Sequence, residues 1–550
     1  MRNGDRALQC VRVRVSSFKK RGTTTPSREI RVNLAVGVIG RSAPWEDLLT
    51  QEGVPFGYVS LDALDREWSV LVVTSPMNET QKSLVESYLY RGGAVLGYAA
   101  YCSGVRRMTC RSEPIEYLLA DGSEPFPDTH LLDLGVEGEI PREANCLRTQ
   151  HREFAAFAGP LGNGFAVLLP FDPAAAIADD RAANKNFYAT RDRLPSERVS
   201  LVGKGEVQRL VHRALAFLHH ARNLPYAHLW YFPDTHRTLF AFRIDSDKGS
   251  REEVDALYHL AVRYDVPMTW FLDVKAHEEW LQHFAYLAGQ EFGVHCYEHR
   301  VFETYEENLK NILRARQKLD RVGVASHGFA GPFGMWNPAL ARAIDQVGFE
   351  YSSEFSYAYD ALPLHTYGGQ GDAFSTLQVP IHPICSGSLR QVGYSETQMA
   401  DYFHRVMDEK RLRNESWFFY HHPTHRAWDV VEAIFVYVRD HTIECTTLAS
   451  YARWWKKRIH LRPTISIERD LLRCEGVPSD CSVALRIILP DRRHAIVPYS
   501  QPLALSGLSW EAPPPYAPPP SDVHRIREFD PRKLVGDLFT TLTRKFSERK

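Results

Sequence analysis

Alternating apolar strand patterns and amphipathic helix patterns between residues 239 and 455 most restrict how this chain can fold. Strand patterns such as LFAFRI, MTWFLDV, EFGVH, WFFYHH and TIECTTL are separated by helix patterns such as REEVDALYHLAVRY, HEEWLQHFAYLAG and NPALARAIDQVG. A long series of strand–helix units favours a distorted (β/α) barrel over an open sheet. In such barrels the functional side chains lie at the carboxyl ends of the strands.

The 550-residue chain is too long for a single hydrophobic core, and its patterns change along its length. Buried strand and helix patterns precede the barrel, and short strand patterns follow it, so the predicted fold class is α/β. The predicted parts are a disordered segment at 1–30, an N-terminal open parallel-sheet domain at 31–225, a catalytic barrel at 237–455, a small C-terminal β-domain at 463–510, a Pro-rich linker at 512–522 and a basic amphipathic tail at 523–550.

Composition restricts the partners and the compartment. The formal net charge is -1, so charge predicts no nucleic-acid partner. No apolar run is long enough to cross a bilayer, residues 1–30 lack the apolar segment of a secretory signal, and the 9 cysteines form no CxxC pair. We therefore expect a cytoplasmic protein with reduced thiols. The tail at 523–550 is of a kind that can lie on an anionic membrane surface, but a frayed or partner-docked helix is the favoured interpretation.

Two carboxylates follow the first apolar strand pattern of the barrel, in FRIDSD. Alternate residues of a strand point to the same side, so Asp245 and Asp247 are expected to face one site. Two carboxylates this close repel each other unless a cation lies between them or one of them is protonated. A buried pair of this kind is costly without a function, although an Asp-x-Asp pair taken alone is more often two solvated turn residues.

Two histidines follow a later strand pattern, in GVHCYEH. If a helical turn begins there, His295 and His299 lie four residues apart on one face. Two His and one Asp form a usual open zinc site, and a second Asp can accept a proton from the bound water. Each motif alone is weak evidence, but both at strand ends predict a site for Zn²⁺ or another divalent transition metal.

These motifs resemble those of the NodB-type polysaccharide deacetylases, carbohydrate esterase family 4, over residues 237–455. The spaced carboxylates of FRIDSDKG look most like the branch that contains the lipid-linked aminoarabinose deformylases, and HCYEH matches the family's HxxxH motif. The resemblance implies that Asp245 is the catalytic base and that Asp247, His295 and His299 bind the metal. It also implies that the reaction is hydrolysis of an amide bond.

The family's third motif is usually RxPxG, and this chain has Ala330 in place of the Arg, followed by Pro332 and Gly334. The resemblance assigns Pro332 and Gly334 to substrate binding. In the family the Arg steadies the catalytic Asp, so its replacement leaves the orientation of the base open. Arg243 and Lys248 are the candidate substitutes, because both lie near the base in sequence.

The family's last motif is a strand followed by a His that protonates the leaving amine, and WFFYHHPTH offers His421 and His422. The resemblance favours His422, because a Pro follows it, and leaves a packing or supporting role for the other. Two more residues are predicted to line the substrate pocket. Trp336 is suited to stack on a sugar ring, and His382 follows another strand pattern, with core packing as an equal alternative for both.

Residues 31–225 resemble class I glutamine-amidotransferase-like folds, through VNLAVGVIG, YLYRGGAVLGY and GNGFAVLLPFD. Amidotransferase catalysis needs a Cys in a tight G-x-C-x-G turn. Cys102, in YAAYCSG, lacks the first Gly of that turn, so a buried packing role is favoured for it. The unit is therefore expected to be non-catalytic, with a role in substrate recognition or assembly.

The predicted function is metal-dependent N-deacetylation of an acylated sugar, a glycan or a lipid-linked sugar. One alternative is an amide or ureide hydrolase with a non-sugar substrate, since relatives with this barrel also cut ureides and imides. The other alternative is a carbohydrate-binding relative that has lost catalysis, which is motivated by Ala330. Metal binding without turnover would indicate the second alternative.

Overall fold

The computed structural model describes residues 31–513 except 61–67, 121, 128, 130, 188–193, 369–372, 479–480 and 500–501, and it also describes residue 535. The segment at 1–30 that is predicted to be disordered lies outside the described residues. Residues 514–522 of the predicted linker also lie outside them, as does the predicted tail apart from residue 535. No helix in the described part of the chain is long and apolar enough to cross a membrane.

The strands and helices up to residue 229 precede the barrel. Their bounds are β1 (Val32–Asn33), β2 (Ala35–Ile39), α1 (Ala43–Glu52), β3 (Phe56–Tyr58), β4 (Trp68–Val73), α2 (Glu79–Tyr90), β5 (Ala94–Tyr98), β6 (Cys110–Leu119), β7 (Leu132–Pro141), β8 (Cys146–Thr149), β9 (Phe154–Leu161), β10 (Gly164–Leu169), α3 (Pro173–Ala178), β11 (Ala182–Asn186), β12 (Ser196–Ser200), α4 (Lys204–Ala221) and β13 (Tyr226–Leu229).

A nine-stranded sheet forms most of this N-terminal unit, in the order β3-β2-β4-β5-β10-β9-β8-β6-β7. The first five strands in this order pair in parallel, which confirms the predicted parallel arrangement for that half. The other four strands continue the sheet in antiparallel pairing, so the sheet is mixed rather than wholly parallel. Val36, Val70 and Leu96 of the parallel half are fully buried in its core.

The next elements run from residue 240 to residue 459. Their bounds are β14 (Phe240–Asp245), α5 (Arg251–Tyr264), β15 (Met268–Leu272), β16 (Glu291–Val294), α6 (Tyr305–Arg321), β17 (Gly328–Phe329), α7 (Pro338–Val347), β18 (Tyr351–Ser352), β19 (Leu364–Tyr367), β20 (Ala373–Gln378), α8 (Ser386–Gln391), α9 (Glu396–Arg413), β21 (Trp417–His421), α10 (Trp428–Asp440) and α11 (Leu448–Ile459).

An eight-stranded sheet organises this second unit, in the order β19-β20-β18-β17-β16-β15-β14-β21. Every neighbouring pair is parallel except β19 with β20. The N–H of His382, just after β20, donates to the carbonyl of Phe418 in β21 at 2.8 Å, so the two ends of the sheet approach each other. The predicted barrel is therefore a curled, mainly parallel sheet, with helices packed on its outer side.

Local sequence explains how β14 and α5 are formed. The hydroxyl of Ser250 accepts from the Glu253 N–H, and the Glu253 side chain accepts in return from the Ser250 N–H, which begins the helix with a capping box. All six residues of β14 are buried, so both faces of this strand are covered, as expected of a parallel sheet under helices. The strand ends at Asp245 and places this carboxylate at the carboxyl edge of the sheet.

Two predicted elements differ in the structure. The segment HEEWLQHFAYLAG is not an α-helix; it contains a 3₁₀ turn at Leu281–Tyr286, where stacked Trp280 and Phe284 rings both contact His277. The pattern TIECTTL does not form a strand either, since it makes only an isolated bridge between Phe240 and Cys445. In both places tertiary packing outweighs the local pattern.

The C-terminal strands are β22 (Thr464–Glu468), β23 (Leu471–Glu475), β24 (Ala484–Ile488), β25 (His494–Pro498) and β26 (Leu503–Ala504). They form two small sheets, in the orders β1-β22-β23-β26 and β13-β24-β25. Because β1 and β13 precede the barrel, the C-terminal strands complete their sheets with strands from the N-terminal part. Leu34, Leu229, Ile465 and Leu485 share one buried cluster across that junction.

Glu52 connects the N-terminal unit to the later parts of the chain. Its carboxylate, at the end of α1, accepts from the hydroxyls of Tyr226 at 2.6 Å and Tyr231 at 2.7 Å, and it contacts His212 Nδ1 at 2.6 Å. Arg458 of α11 donates to the Leu229 carbonyl at 2.7 Å beside it. Burial would raise the pKa of Glu52, but the neighbouring histidines lower it, and the net pKa is about 2.

Replacing Glu52 should therefore destabilise the junction. We expect Glu52→Gln to lower the free energy of unfolding by about 3 kcal/mol. The change removes a buried negative charge that the surrounding hydrogen-bond donors stabilise. The loss should shrink as pH falls from 4.5 towards 2. A carboxylate with a lowered pKa contributes its full stability above pH 4.5 and loses that contribution as it is protonated towards pH 2. Unfolding by denaturant at several pH values measures this loss. Glu79→Gln, in an exposed pair with Lys82, is the control and should change little.

Candidate functional site

The site lies where three neighbouring parts of the curled sheet end. β14 ends at Asp245, with Asp247 two residues later, while β16 ends one residue before His295 and β21 ends one residue before His422. These strands all run in parallel, so their carboxyl ends share one edge of the sheet. The structure therefore brings together the predicted base, metal ligands and acid at one place.

Arg243 holds Asp245 through a two-point ion pair. Its Nε donates to Asp245 Oδ1 at 2.6 Å and its Nη2 donates to Oδ2 at 2.7 Å. Nη1 donates to the Ser353 carbonyl at 2.5 Å, and the guanidinium lies over the Phe271 ring, 5.0 Å from its centroid. Both partners are buried, and Lys248 is exposed. Arg243, rather than Lys248, thus orients the carboxylate that the resemblance assigns as the base.

Three side chains converge next to this pair. Asp247 Oδ1 lies 3.2 Å from His295 Nε2 and 3.0 Å from His299 Nε2, and the two nitrogens are 3.2 Å apart. Zinc–nitrogen and zinc–oxygen bonds of about 2.0 Å in tetrahedral geometry place ligand atoms about 3.3 Å apart. The three separations match that value, so these residues fit one small divalent cation.

The hydrogen bonds around these ligands agree with this fit. His295 Nδ1 donates to the Ala330 carbonyl at 2.7 Å, which leaves Nε2 as the free lone pair of a metal ligand. Asp247 Oδ1 is buried and has no hydrogen-bond partner among the described residues. Such an atom is costly to bury unless a cation satisfies it.

Electrostatics keep both carboxylates ionised. Burial would raise the pKa of Asp245, but the Arg243 guanidinium outweighs it and holds the pKa below its usual value. Burial also opposes ionisation of Asp247, yet the neighbouring imidazoles of His295 and His299 bring the pKa of that carboxyl well below its ordinary value. The site therefore presents two negative charges to one arginine and two imidazoles.

Ala330 keeps a structural role although it replaces the family's Arg. Its carbonyl accepts the His295 hydrogen bond, and its side chain lies in a buried cluster that also contains Phe271 and Tyr420. Arg243 packs over the same two rings. The small side chain at 330 is thus compatible with a guanidinium that enters from β14 instead of from the loop.

The adjacent histidines His421 and His422 have different environments. His421 Nε2 donates to the Arg426 carbonyl at 3.0 Å and its Nδ1 lies 3.0 Å from Ser386 Oγ, so both ring nitrogens are occupied in the core. His422 Nε2 lies 3.5 Å from Asp247 Oδ2, and its side chain is partly exposed. Only His422 faces the candidate metal ligands; the predicted catalytic role does not fit the packing of His421.

The residues assigned to substrate binding near 334 are placed unequally. Pro332 and Gly334 form a tight turn whose central Phe333 contacts the His299 ring at 4.8 Å. Gly334 has φ 61°, and a Cβ there would come within 2.2 Å of Phe355. Trp336 instead packs on Tyr357, 4.6 Å away, against the core of the N-terminal unit. The turn therefore borders the site, whereas Trp336 has a packing role.

His382 lies in another part of the molecule than predicted. Its Nδ1 contacts Asp360 Oδ2 at 2.9 Å and its Nε2 contacts the Tyr402 hydroxyl at 3.0 Å. It lines a cavity of about 210 Å³ between the N-terminal unit and α9, whose described lining includes none of the candidate metal ligands. Its side chain packs on Phe419, which belongs to the helix-facing core, so it points away from the inside of the curled sheet.

Sequence reasoning assigned no role to several groups at or near the site. Cys385 and His425 lie beside His422, with ligand atoms within 4.8 Å of one another. Glu354 is fully buried, its Oε1 accepts from the Gly331 N–H at 3.0 Å, and burial raises its pKa to about 7. Asp273 follows β15, and its pKa is also raised by burial. Some of these residues follow the carboxyl ends of other barrel strands, and that position was the signal by which the sequence could have identified them.

Comparison with known proteins finds a family whose model matches part of the second unit. Residues 244–352 match the family model described as polysaccharide deacetylase. This range contains Asp245, Asp247, His295 and His299, so the similarity to that family covers the candidate base and the candidate metal ligands. No curated protein matches the chain in sequence.

Part of the chain is also similar to solved structures. A Mycobacterium smegmatis protein described as a polysaccharide deacetylase has 16% identity, covers 42% of this chain and 94% of its own, and gives a TM-score of 0.35. A Pseudomonas aeruginosa PAO1 protein with the same description has 16% identity, with 40% and 92% covered and a TM-score of 0.36. Puue allantoinase has 16% identity, with 41% and 93% covered and a TM-score of 0.36.

The matched residues of the family model lie wholly within the second unit. The resemblance of residues 31–225 to glutamine amidotransferases stays a prediction. Cys102 is buried there, and burial raises the pKa of its thiol to about 12. A thiol that resists ionisation is a poor nucleophile, which agrees with the expected packing role.

Removing Arg243 should leave a buried carboxylate without its cation. We expect Arg243→Met to lower the free energy of unfolding by about 3–5 kcal/mol, and Arg243→Met combined with Asp245→Leu to recover most of that loss. Denaturant unfolding of both variants tests the pairing. Lys248→Met is the matched control and should stay within about 0.5 kcal/mol of wild type. Equal losses in Arg243→Met and Lys248→Met would contradict the assigned pair.

Glu354 should make stability depend on pH. Its pKa in the folded protein, about 7, exceeds the ordinary 4.5, so the fold is stabilised below 4.5 and loses this contribution as pH rises through 7. Relative to Glu354→Gln, the wild type should lose about 3 kcal/mol between pH 4.5 and 8, at about 1.4 kcal/mol per unit of pKa. Parallel unfolding profiles of the two proteins over that range would show that Glu354 is ordinarily ionised.

Proposed function

We propose that this protein is a metal-dependent hydrolase of carbon–nitrogen bonds that removes an acyl group from an N-acylated sugar or glycan. The observation that carries the proposal is the convergence of Asp247, His295 and His299 at separations suited to one divalent cation, beside the oriented carboxylate of Asp245. The match of residues 244–352 to the polysaccharide deacetylase family supports an amide substrate on a sugar.

Asp247, His295 and His299 would hold the cation, with zinc the best match to two imidazoles and a carboxylate. When bound, the cation polarises a substrate carbonyl and lowers the pKa of water. The role of His295 depends on its Nδ1 hydrogen bond to the Ala330 carbonyl, because this bond aims Nε2 at the site.

Asp245 serves as the proton acceptor for the attacking water. Arg243 donates one hydrogen bond to each carboxylate oxygen of Asp245, and each oxygen keeps a further lone pair that can accept a proton. The guanidinium fixes the plane of the carboxylate and keeps it ionised. The cost of this arrangement is a weaker base, which suits water that is already acidified at the site.

His422 donates a proton to the leaving amine. Its Nε2 faces the site, 3.5 Å from Asp247 Oδ2, and the residue directly follows the strand that pairs with β14. Loss of that proton transfer would leave the amine to depart as an unfavourable anion. The products are a free amine and a short carboxylate.

Amide hydrolysis is tested on the full chain loaded with one equivalent of zinc. N-acetylglucosamine oligomers are the probe, and free acetate and free amine are measured together. Wild type should release both in equal amounts, while Asp245→Asn and His422→Ala should lose at least about 100-fold in kcat. His295→Ala should lose the activity and, in excess zinc, should bind one equivalent less than wild type. The exposed His259→Ala, on the outer helix α5, is the control and should behave as wild type.

Three outcomes separate the alternatives. Release of ammonia or urea from ureides, without acetate from sugars, would replace the sugar substrate by a ureide. A bound ion with no turnover on either class would favour a carbohydrate-binding protein without catalysis. Zinc content unaffected by His295→Ala would remove the basis of the proposal.

A further inference from the structure

A second group of potential metal ligands adjoins the first. The sulfur of Cys385 and one ring nitrogen each of His422 and His425 lie within 4.8 Å of one another. Cys385 Sγ is 3.9 Å from His425 Nδ1, and the rings of the two histidines are 4.5 Å apart. A thiolate and two imidazoles form a ligand set that favours zinc and similar thiophilic divalent ions over magnesium or calcium.

These three residues are held in place by different elements. Cys385 is the residue before α8, and its sulfur lies 3.5 Å from Ser388 Oγ within the first turn. His425 closes the turn that follows β21, and Arg390 of α8 donates to its carbonyl at 2.6 Å. Its ring lies against Gly387, where a Cβ would come within 2.2 Å of the ring. The glycine thus makes room for the imidazole beside the sulfur.

The ligand atoms remain available to a cation. His422 Nδ1 is buried and has no hydrogen-bond partner among the described residues. Zinc–sulfur bonds of about 2.3 Å and zinc–nitrogen bonds of about 2.0 Å separate a sulfur and a nitrogen ligand by about 3.5 Å in tetrahedral geometry. The observed 3.9 Å between Cys385 and His425 therefore needs only a small closing movement.

The group around Glu52 at the domain junction lacks this openness. Glu52, His212 and His228 also bring ligand atoms together. However, the two oxygens of Glu52 already accept hydrogen bonds from the hydroxyls of Tyr226 and Tyr231. A cation there would displace bonds that stabilise the junction, whereas one beside His422 would satisfy a nitrogen that is otherwise unpaired.

We propose that Cys385, His422 and His425 form a second site for zinc or another thiophilic divalent ion, and that filling this site inhibits hydrolysis. The inhibitory part rests on the proposed function, since it assumes that His422 protonates the leaving amine. Binding replaces the thiol proton of Cys385, which is released to solvent, and occupies a ring nitrogen of His422. With Nδ1 bound to the metal the ring cannot become an imidazolium, so its remaining Nε2–H is too weak an acid to protonate the leaving amine.

Metal titration of the full chain tests the site independently of activity. Metal-free wild type, Cys385→Ser and His295→Ala are titrated with Co²⁺, and both bound metal and thiolate-to-cobalt absorption are measured. Wild type and His295→Ala should develop the thiolate absorption. Cys385→Ser should lack it and bind one equivalent less than wild type. Equal stoichiometry in wild type and Cys385→Ser, or no thiolate absorption in wild type, would overturn the second site.

Activity with added zinc tests inhibition. Wild type should lose about 100-fold or more of its amide hydrolysis when zinc exceeds the first equivalent, which is the loss expected without a general acid. His425→Gln should keep its activity under the same excess. Equal inhibition of both proteins would overturn the inhibitory role. A wild type without activity at one equivalent, but with the cobalt–thiolate absorption, would refute the proposed function and leave the second site standing.

Discussion

The buried pair of Arg243 and Asp245 is the interaction on which the rest of the site depends. A carboxylate at the end of a wholly buried strand is costly unless it is paired, and two hydrogen bonds from one guanidinium meet that requirement. The pair also fixes the direction of Asp245 while Asp247, two residues on, remains free for His295 and His299. One strand end thereby supplies both an oriented base and a metal ligand.

The site was largely predictable because parallel strands place their carboxyl ends at one edge. That rule brought together Asp245, Asp247, His295 and His422 from patterns far apart in sequence. It could not tell which face a residue after a strand end occupies. His382 faces the helices and Asp360, not the inside of the curled sheet. A shift of one residue along a strand turns a side chain to the other face, and so decides whether it lines the site or packs in the core. Sequence likewise could not choose between Arg243 and Lys248 as the partner of Asp245, because that choice depends on the direction of the side chain.

Pairings between distant segments limited the prediction of the fold. The strand patterns of the N-terminal unit indicated a parallel sheet, but four of its nine strands, β6 to β9, add to it in antiparallel pairing. The C-terminal strands have local strand patterns, yet their partners β1 and β13 lie before the barrel. Periodicity identifies that a strand exists and carries no signal for its partner. The contacts of Glu52 show how closely these separate segments are joined.

The central claim is that Asp247, His295 and His299 bind the catalytic cation, and X-ray absorption at the zinc edge tests it most directly. With one equivalent of zinc on the full chain, the account predicts a first shell of nitrogen and oxygen only, with the outer-shell scattering of two imidazoles and without sulfur. A change of this first shell in His295→Ala combined with His299→Ala, to aqueous zinc or to a shell that contains the Cys385 sulfur, would agree with this. A sulfur ligand at one equivalent, or an unchanged spectrum in that double variant, would contradict the assignment.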